Sequence, residues 1–177
     1  SSLFAAGLGA RLGEEAVPSV ALLDRHVRAL DADLNRRFLS ARTPAERREL
    51  ALAGFLNVLL WLAWLRSMEA FSLAWQDVNV LAPNDGPRLD LPMGIGVVLL
   101  RLLPETKSSR TRCADVVCAY ETLSGFTLGR WATRARLHAY DGPTSKIFCH
   151  STGVSWTSRY FREKYLYPSL RSQQAAG

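Results

Sequence analysis

The chain has 177 residues, 48% hydrophobic and 21% charged, with a net charge of +6 and a pI near 9.6. Those proportions describe one folded domain with a real core and exclude a disordered tail. The basic balance suits an anionic partner without requiring one.

In chain order, residues 1–16 are Gly- and Ala-rich and read as a loop or the tail of a linker. From Pro18, Val20, Leu23, Val27, Leu30, Leu34 and Phe38 recur at three- and four-residue spacing, which predicts an amphipathic helix. "TPAERREL" predicts a helix start, with Thr43 as N-cap, Pro44 at the first helical position and Glu46 closing a capping box. This second helix is expected to run to about Arg66 and, being apolar nearly all round, to be the central helix. Its oily stretch Leu50–Leu65 has 16 residues interrupted by Asn57. As a helix it would span about 24 Å against a hydrocarbon core of roughly 30 Å, so a membrane span is not expected. A short helix around Ser67–Trp75 follows.

At Asp77 the texture changes to β-branched segments: "DVNVLAP", "PRLDLP", "GIGVVLLRLLPETK" and "RCADVVCAY", punctuated by "PNDGP" and "ETKSSRT". These predict a small antiparallel sheet of about three strands, with the last turn around Lys107 to Arg110. Helical pattern returns at "TLSGFTLGRWATRARLH", breaks at "DGPTS" and resumes from about Ser155 to Leu170. The predicted class is α+β, mainly helical, with helices around a small antiparallel three-stranded sheet.

Of 22 basic residues 19 are Arg, and only Lys107, Lys146 and Lys164 are Lys. Arg keeps its proton at any working pH whereas Lys can be tuned to release one, so lysines in so Arg-biased a chain are worth marking. Cys113, Cys118 and Cys149 lack CxxC spacing and predict reduced thiols in an intracellular protein. His138 and His150 are badly spaced to complete a zinc site with them. No secretory signal is visible in "SSLFAAGLGARLGEE". The chain starts at Ser1 and stops at "SQQAAG", which reads as a piece cut from a longer protein.

In "WLRSMEAFSLAWQDV" an Arg is followed three residues later by Glu, then by Leu, Trp and Asp: Arg66, Glu69, Leu73, Trp75 and Asp77. "PETKSSRTRCADV" places Lys107 on a hairpin ahead of basic residues and a strand. In these two stretches, and in the strand-rich spacing between them, the chain resembles the catalytic domain of the tyrosine recombinases, phage-integrase-like enzymes that break and rejoin DNA. The resemblance covers roughly residues 18–170, so that 17–177 would be a partial catalytic domain. Trp64 stands where the family often has Gly before Leu-Arg, a departure that bears on the local backbone.

The resemblance implies an integrase-like fold and strand breakage through a covalent 3′-phosphotyrosyl intermediate, without metal or cofactor. Arg66 would grip nonbridging phosphate oxygens and Lys107 would protonate the leaving 5′-oxygen. Glu69 and Asp77 would support the site structurally. Double-stranded DNA is the implied partner, with Arg110, Arg112, Arg130, Arg134 and Lys146 as backbone contacts, and a homo-oligomer on DNA is expected. The implied location is intracellular, and nuclear in a eukaryote. The family's His-x-x-Arg box is absent from these residues, and Tyr160, Tyr165 and Tyr167 come too early to be the nucleophile. Both are therefore expected beyond Gly177. The alternatives are a relative of the same fold that has lost catalysis and serves as a DNA-binding or scaffold protein, and a helical interaction domain whose resemblance to the family is accidental. Taken alone, Arg66 is also readable as an ordinary cation at a helix C-terminus, paired with Glu69.

Overall fold

The computed structural model describes residues 22–83, 95–102 and 114–176. Helix α1 (Asp24–Ser40) buries Val27, Leu30 and Leu34, the stripe that the spacing predicts. It starts later than Pro18 suggests: Leu22 and Leu23 are not helical, and the Leu23 N–H is taken by the His26 Nδ1 at 2.9 Å. Helix α2 (Pro44–Ala63) opens as its capping signals predict, with the Glu46 N–H donating to Thr43 Oγ1 at 3.1 Å. The Glu46 carboxylate closes on the backbone of Arg42 rather than that of Thr43. From Leu50 to Leu60 every residue of α2 is buried, so this helix is the axis of the core. Each large apolar side chain sealed there contributes about 1.5–3 kcal/mol.

Helix α2 does not reach Arg66. It ends at Ala63, Trp64 turns left-handed at φ 54° and ψ 34°, and a separate helix α3 (Ser67–Ser72) follows. Trp64 is the one non-glycine residue at positive φ among the described residues. The expected short helix is also shorter: after Ser72 the chain is extended through Leu73 and Ala74, then makes one 3-10 turn, Trp75–Asp77.

Strands β1 (Val78–Leu81), β2 (Val97–Leu102) and β3 (Ala114–Ala119) form the sheet in that order, all antiparallel. The register pairs Val78 with Leu100 and Leu102 with Ala114. The start of β1, the end of β2 and the start of β3 therefore lie at one end of the sheet. The expected segment 87–92 and the turn at Lys107 to Arg110 lie outside the described residues. The fold is α+β and mainly helical around this small sheet, as the sequence predicts.

Helix α4 (Leu128–Ala139) begins six residues after Thr122, because Thr122–Phe126 folds into a turn. The Thr122 N–H donates to the Phe126 carbonyl, the Phe126 N–H donates to Thr122 Oγ1, and Gly125 sits at φ 97°. Trp131 of α4 lies flat on α2 where Gly54 leaves room; a Cβ there would come within 2.4 Å of the indole. The C-terminal run is α5 (Ser158–Phe161), a π-helical turn (Arg162–Leu166) and α6 (Tyr167–Ala176). Among the described residues no helix is long and apolar enough to cross a membrane.

Candidate functional site

Arg66 is solvent-exposed and is the N-cap of α3, not the last residue of α2. It is therefore not a cation of the last turn of α2. The positive end of the α3 dipole lies on its side, while the negative end of α2 lies three residues before it. The Glu69 carboxylate accepts the Arg66 backbone N–H at 2.7 Å, half of a capping box, and forms no ion pair with the guanidinium. Among the described residues the Arg66 guanidinium has no hydrogen-bonding or ionic partner. Glu69 thus fixes the backbone from which the arginine projects and leaves its charge unspent.

From Leu73 on, the same stretch is largely buried and closes into the turn that feeds β1. Leu73 and Trp75 are 2% exposed. Asp77 is buried and accepts the Ala74 N–H at 2.9 Å, closing the 3-10 turn that feeds β1. The far end of α3 is tied by Lys146, whose Nζ donates to the Ser72 carbonyl at 2.7 Å. Around that contact the 143–147 segment runs beside 73–76. The Ile147 N–H donates to Leu73 O at 3.0 Å, the Trp75 N–H to Ser145 O at 3.2 Å and the Gln76 N–H to Pro143 O at 2.8 Å. Arg66 and Lys146 thus bracket a six-residue helix about 9 Å long.

Lys107, Arg110 and Arg112 lie outside the described residues. They fall between Leu102 and Ala114, whose pairing puts both strand ends where β1 begins, directly after Asp77. Arg130 is exposed on α4. Arg134 is turned into the helix interface: it donates to Asn35 Oδ1 at 2.7 Å and lies 4.6 Å over the Phe38 ring and 4.8 Å over Trp131. Beside it the Trp131 indole N–H donates to Asp31 at 2.7 Å, and burial raises the Asp31 carboxyl above its usual range despite that bond. This polar and aromatic seam joins α1 to α4, and its spacing on α1 (Asp31, Asn35, Phe38) is readable only once α4 is known to lie there.

The late tyrosines are engaged. Glu49 of α2 accepts from the Tyr160 hydroxyl, from the Tyr165 hydroxyl at 2.8 Å and from Lys164 Nζ at 2.9 Å. Burial, followed by the Glu49 charge, drives the Tyr165 hydroxyl far above the usual phenol range, so it holds its proton. Burial alone would raise the Glu49 carboxyl, but its three donors outweigh this and hold it below the usual carboxylate range. Tyr167 is buried. The adjoining cavity of about 340 Å³ is lined by Arg37, Glu46, Glu49 and Lys164, each already bonded or ion-paired elsewhere. The arrangement clamps the C-terminal helices onto α2. Cys118 and Cys149 are free and buried, and among the described residues no group of three potential ligands could hold a metal ion.

Compared with known proteins, the chain matches no family model, and no curated protein matches it.

Proposed function

We propose that this chain is the main part of a DNA strand-breaking and rejoining domain of the tyrosine-recombinase type. In this reading a tyrosine oxygen outside residues 1–177 attacks the phosphorus and the 5′-oxygen leaves. A 3′-phosphotyrosyl bond forms as the P–O5′ bond breaks. Arg66 holds the nonbridging oxygens as their charge grows, and Lys107 supplies the proton that the leaving oxygen takes. Glu69, Leu73, Trp75 and Asp77 hold Arg66 in place.

The observation that carries this reading is the sheet register. Residues 66–77 enter the sheet at the end from which the β2–β3 connection, bearing Lys107, also departs. The described strand ends that flank the Lys107 segment, Leu102 and Ala114, thus lie at the end of the sheet where the stretch beginning at Arg66 enters β1, which supports pairing the two residues in one site. Two further features favour it: the unspent charge of Arg66, and the left-handed backbone at Trp64, where the resembled family often has the glycine that such a conformation prefers.

The test is a suicide DNA substrate offered to the protein extended beyond Gly177. A covalent adduct is expected with the extended protein and none with residues 1–177, because in this reading the nucleophile lies outside them, with Tyr160 and Tyr165 committed to Glu49. In the extended protein Lys107→Ala should slow cleavage, and a bridging 5′-sulfur, which leaves without a proton, should restore much of the rate. Arg66→Ala should not be rescued that way. An extended protein that binds duplex DNA but forms no adduct would instead be the catalytically lost relative.

A further inference from the structure

A second unspent cation lies at the same end of the sheet. Arg136, in the last turn of α4, sits about 200° around the helix from Arg134 and so faces away from α1. Its guanidinium lies 4.6 Å from the centre of the Tyr140 ring, and Tyr140 in turn packs edge-on against buried Trp75, 5.9 Å between ring centres. Stacking of this kind fixes the direction of the fork without neutralising it. The stack borders a cavity of about 300 Å³ whose other walls are Gln76, Val78, Asn79 and Pro143. The backbone bonds of Trp75 to Ser145 and of Gln76 to Pro143 make its floor rigid. By volume the cavity would take about ten waters, enough for a phosphate with part of its hydration shell.

Arg28, Arg36, Arg37, Arg101, Arg159 and Lys164 each have a carboxylate partner. Among the described residues Arg66, Lys146 and Arg136 have none, as is also true of Arg25, Arg42, Arg47, Arg130 and Arg171; what sets the three apart is that they lie along one continuous path. Lys146 bonds the end of the helix that Arg66 begins, and its loop bonds Trp75 and Gln76, which wall the Arg136 cavity. Asp141, the acid nearest to Arg136 in sequence, forms no ion pair with it.

We propose that the Arg136 cavity, with Asn79 and Gln76 as neutral donors, is a second backbone-phosphate site for duplex DNA, reached along this path from Arg66. The inference rests on the DNA-breaking reading and adds a contact to it. A phosphate so held positions the strand and carries no sequence information. Arg136 touches no reacting atom and acts on how the duplex lies.

The experiment is duplex-DNA titration of residues 1–177 between about 50 and 200 mM salt, comparing wild type with Arg136→Ala and Arg36→Ala. The two variants remove the same charge, but Arg36 is spent on Asp33. Arg136→Ala should weaken binding roughly tenfold at the lowest salt and lower the slope of log K against log salt by about 0.9, one phosphate contact. Arg36→Ala should change neither. Arg136→Lys, which keeps the charge and loses the fork, should keep most of the slope and lose part of the affinity, and it covers the case in which the alanine variant folds poorly. An unchanged slope in Arg136→Ala, or equal losses in both alanine variants, overturns the second site and leaves the primary reading standing. A wild-type chain that binds no duplex overturns both.

Discussion

The left-handed backbone at Trp64 yields a prediction whose sign runs against ordinary expectation. Trp64 is 72% exposed, so the indole contributes little that a substitution would lose beyond the quarter of it that is covered. Comparing Trp64→Gly with Trp64→Ala removes that contribution from both and isolates the backbone. An L-residue at φ 54° costs about 1–2 kcal/mol, whereas glycine is there without strain. Against this, glycine loses more chain entropy on folding, about 0.5–1 kcal/mol relative to alanine. The balance leaves Trp64→Gly about 0.5–1 kcal/mol more stable than Trp64→Ala, which for a domain of this size is about 2–4 °C in melting temperature per kcal/mol. Circular dichroism melts and urea titrations of the two variants measure it. At an ordinary helix position the order would be reversed, so a Trp64→Ala variant as stable as Trp64→Gly, or more so, would refute a left-handed break between α2 and α3.

Glu49→Gln should destabilise the protein by about 2 kcal/mol near neutral pH, because Lys164 and two tyrosines lose a charged acceptor. Glu49 has a depressed folded pKa, so its contribution is present above the unfolded value of 4.5 and is lost as the pH falls through the folded value. Stability curves of wild type and Glu49→Gln should therefore converge in acid; a gap independent of pH would count against the clamp. Gly54→Ala should cost about 1–2 kcal/mol in a denaturant titration despite the better helix propensity of alanine, since the new methyl group must displace Trp131; a neutral or stabilised variant would show that α4 is not seated there.

Much of this fold is legible in the sequence because its signals are local. Thr43 and Pro44 mark the start of α2, the Val27–Leu30–Leu34 spacing marks the buried face of α1, and the β-branched runs mark the three strands. The break at Trp64 is illegible because the apolar run continues through it and tryptophan is not a residue that signals a left-handed turn. The late start of α4 has a similar cause: a Thr-capped turn satisfies its own backbone locally and competes with the helix that the periodicity suggests. In the site, Arg66, Glu69 and Asp77 stand out by spacing. The role of Lys146 does not, because its acceptor Ser72 is 74 residues away. Arg134 and Arg136 look alike in sequence and differ only in which neighbour each meets, Asn35 or Tyr140. The commitment of Tyr160 and Tyr165 to Glu49 spans more than 100 residues, and no spacing rule reports it.

The proposed strand-breaking function requires that Arg66 be held for a phosphodiester rather than for the fold. The most direct measurement pairs the thermal stability of Arg66→Ala with its equilibrium affinity for duplex DNA. With its guanidinium exposed and unpartnered among the described residues, the substitution should change stability by less than about 0.5 kcal/mol. It should weaken duplex binding roughly tenfold or more, as expected for a charge-assisted, bidentate contact. Unchanged affinity, or a loss of affinity that only tracks a loss of folded protein, would contradict it.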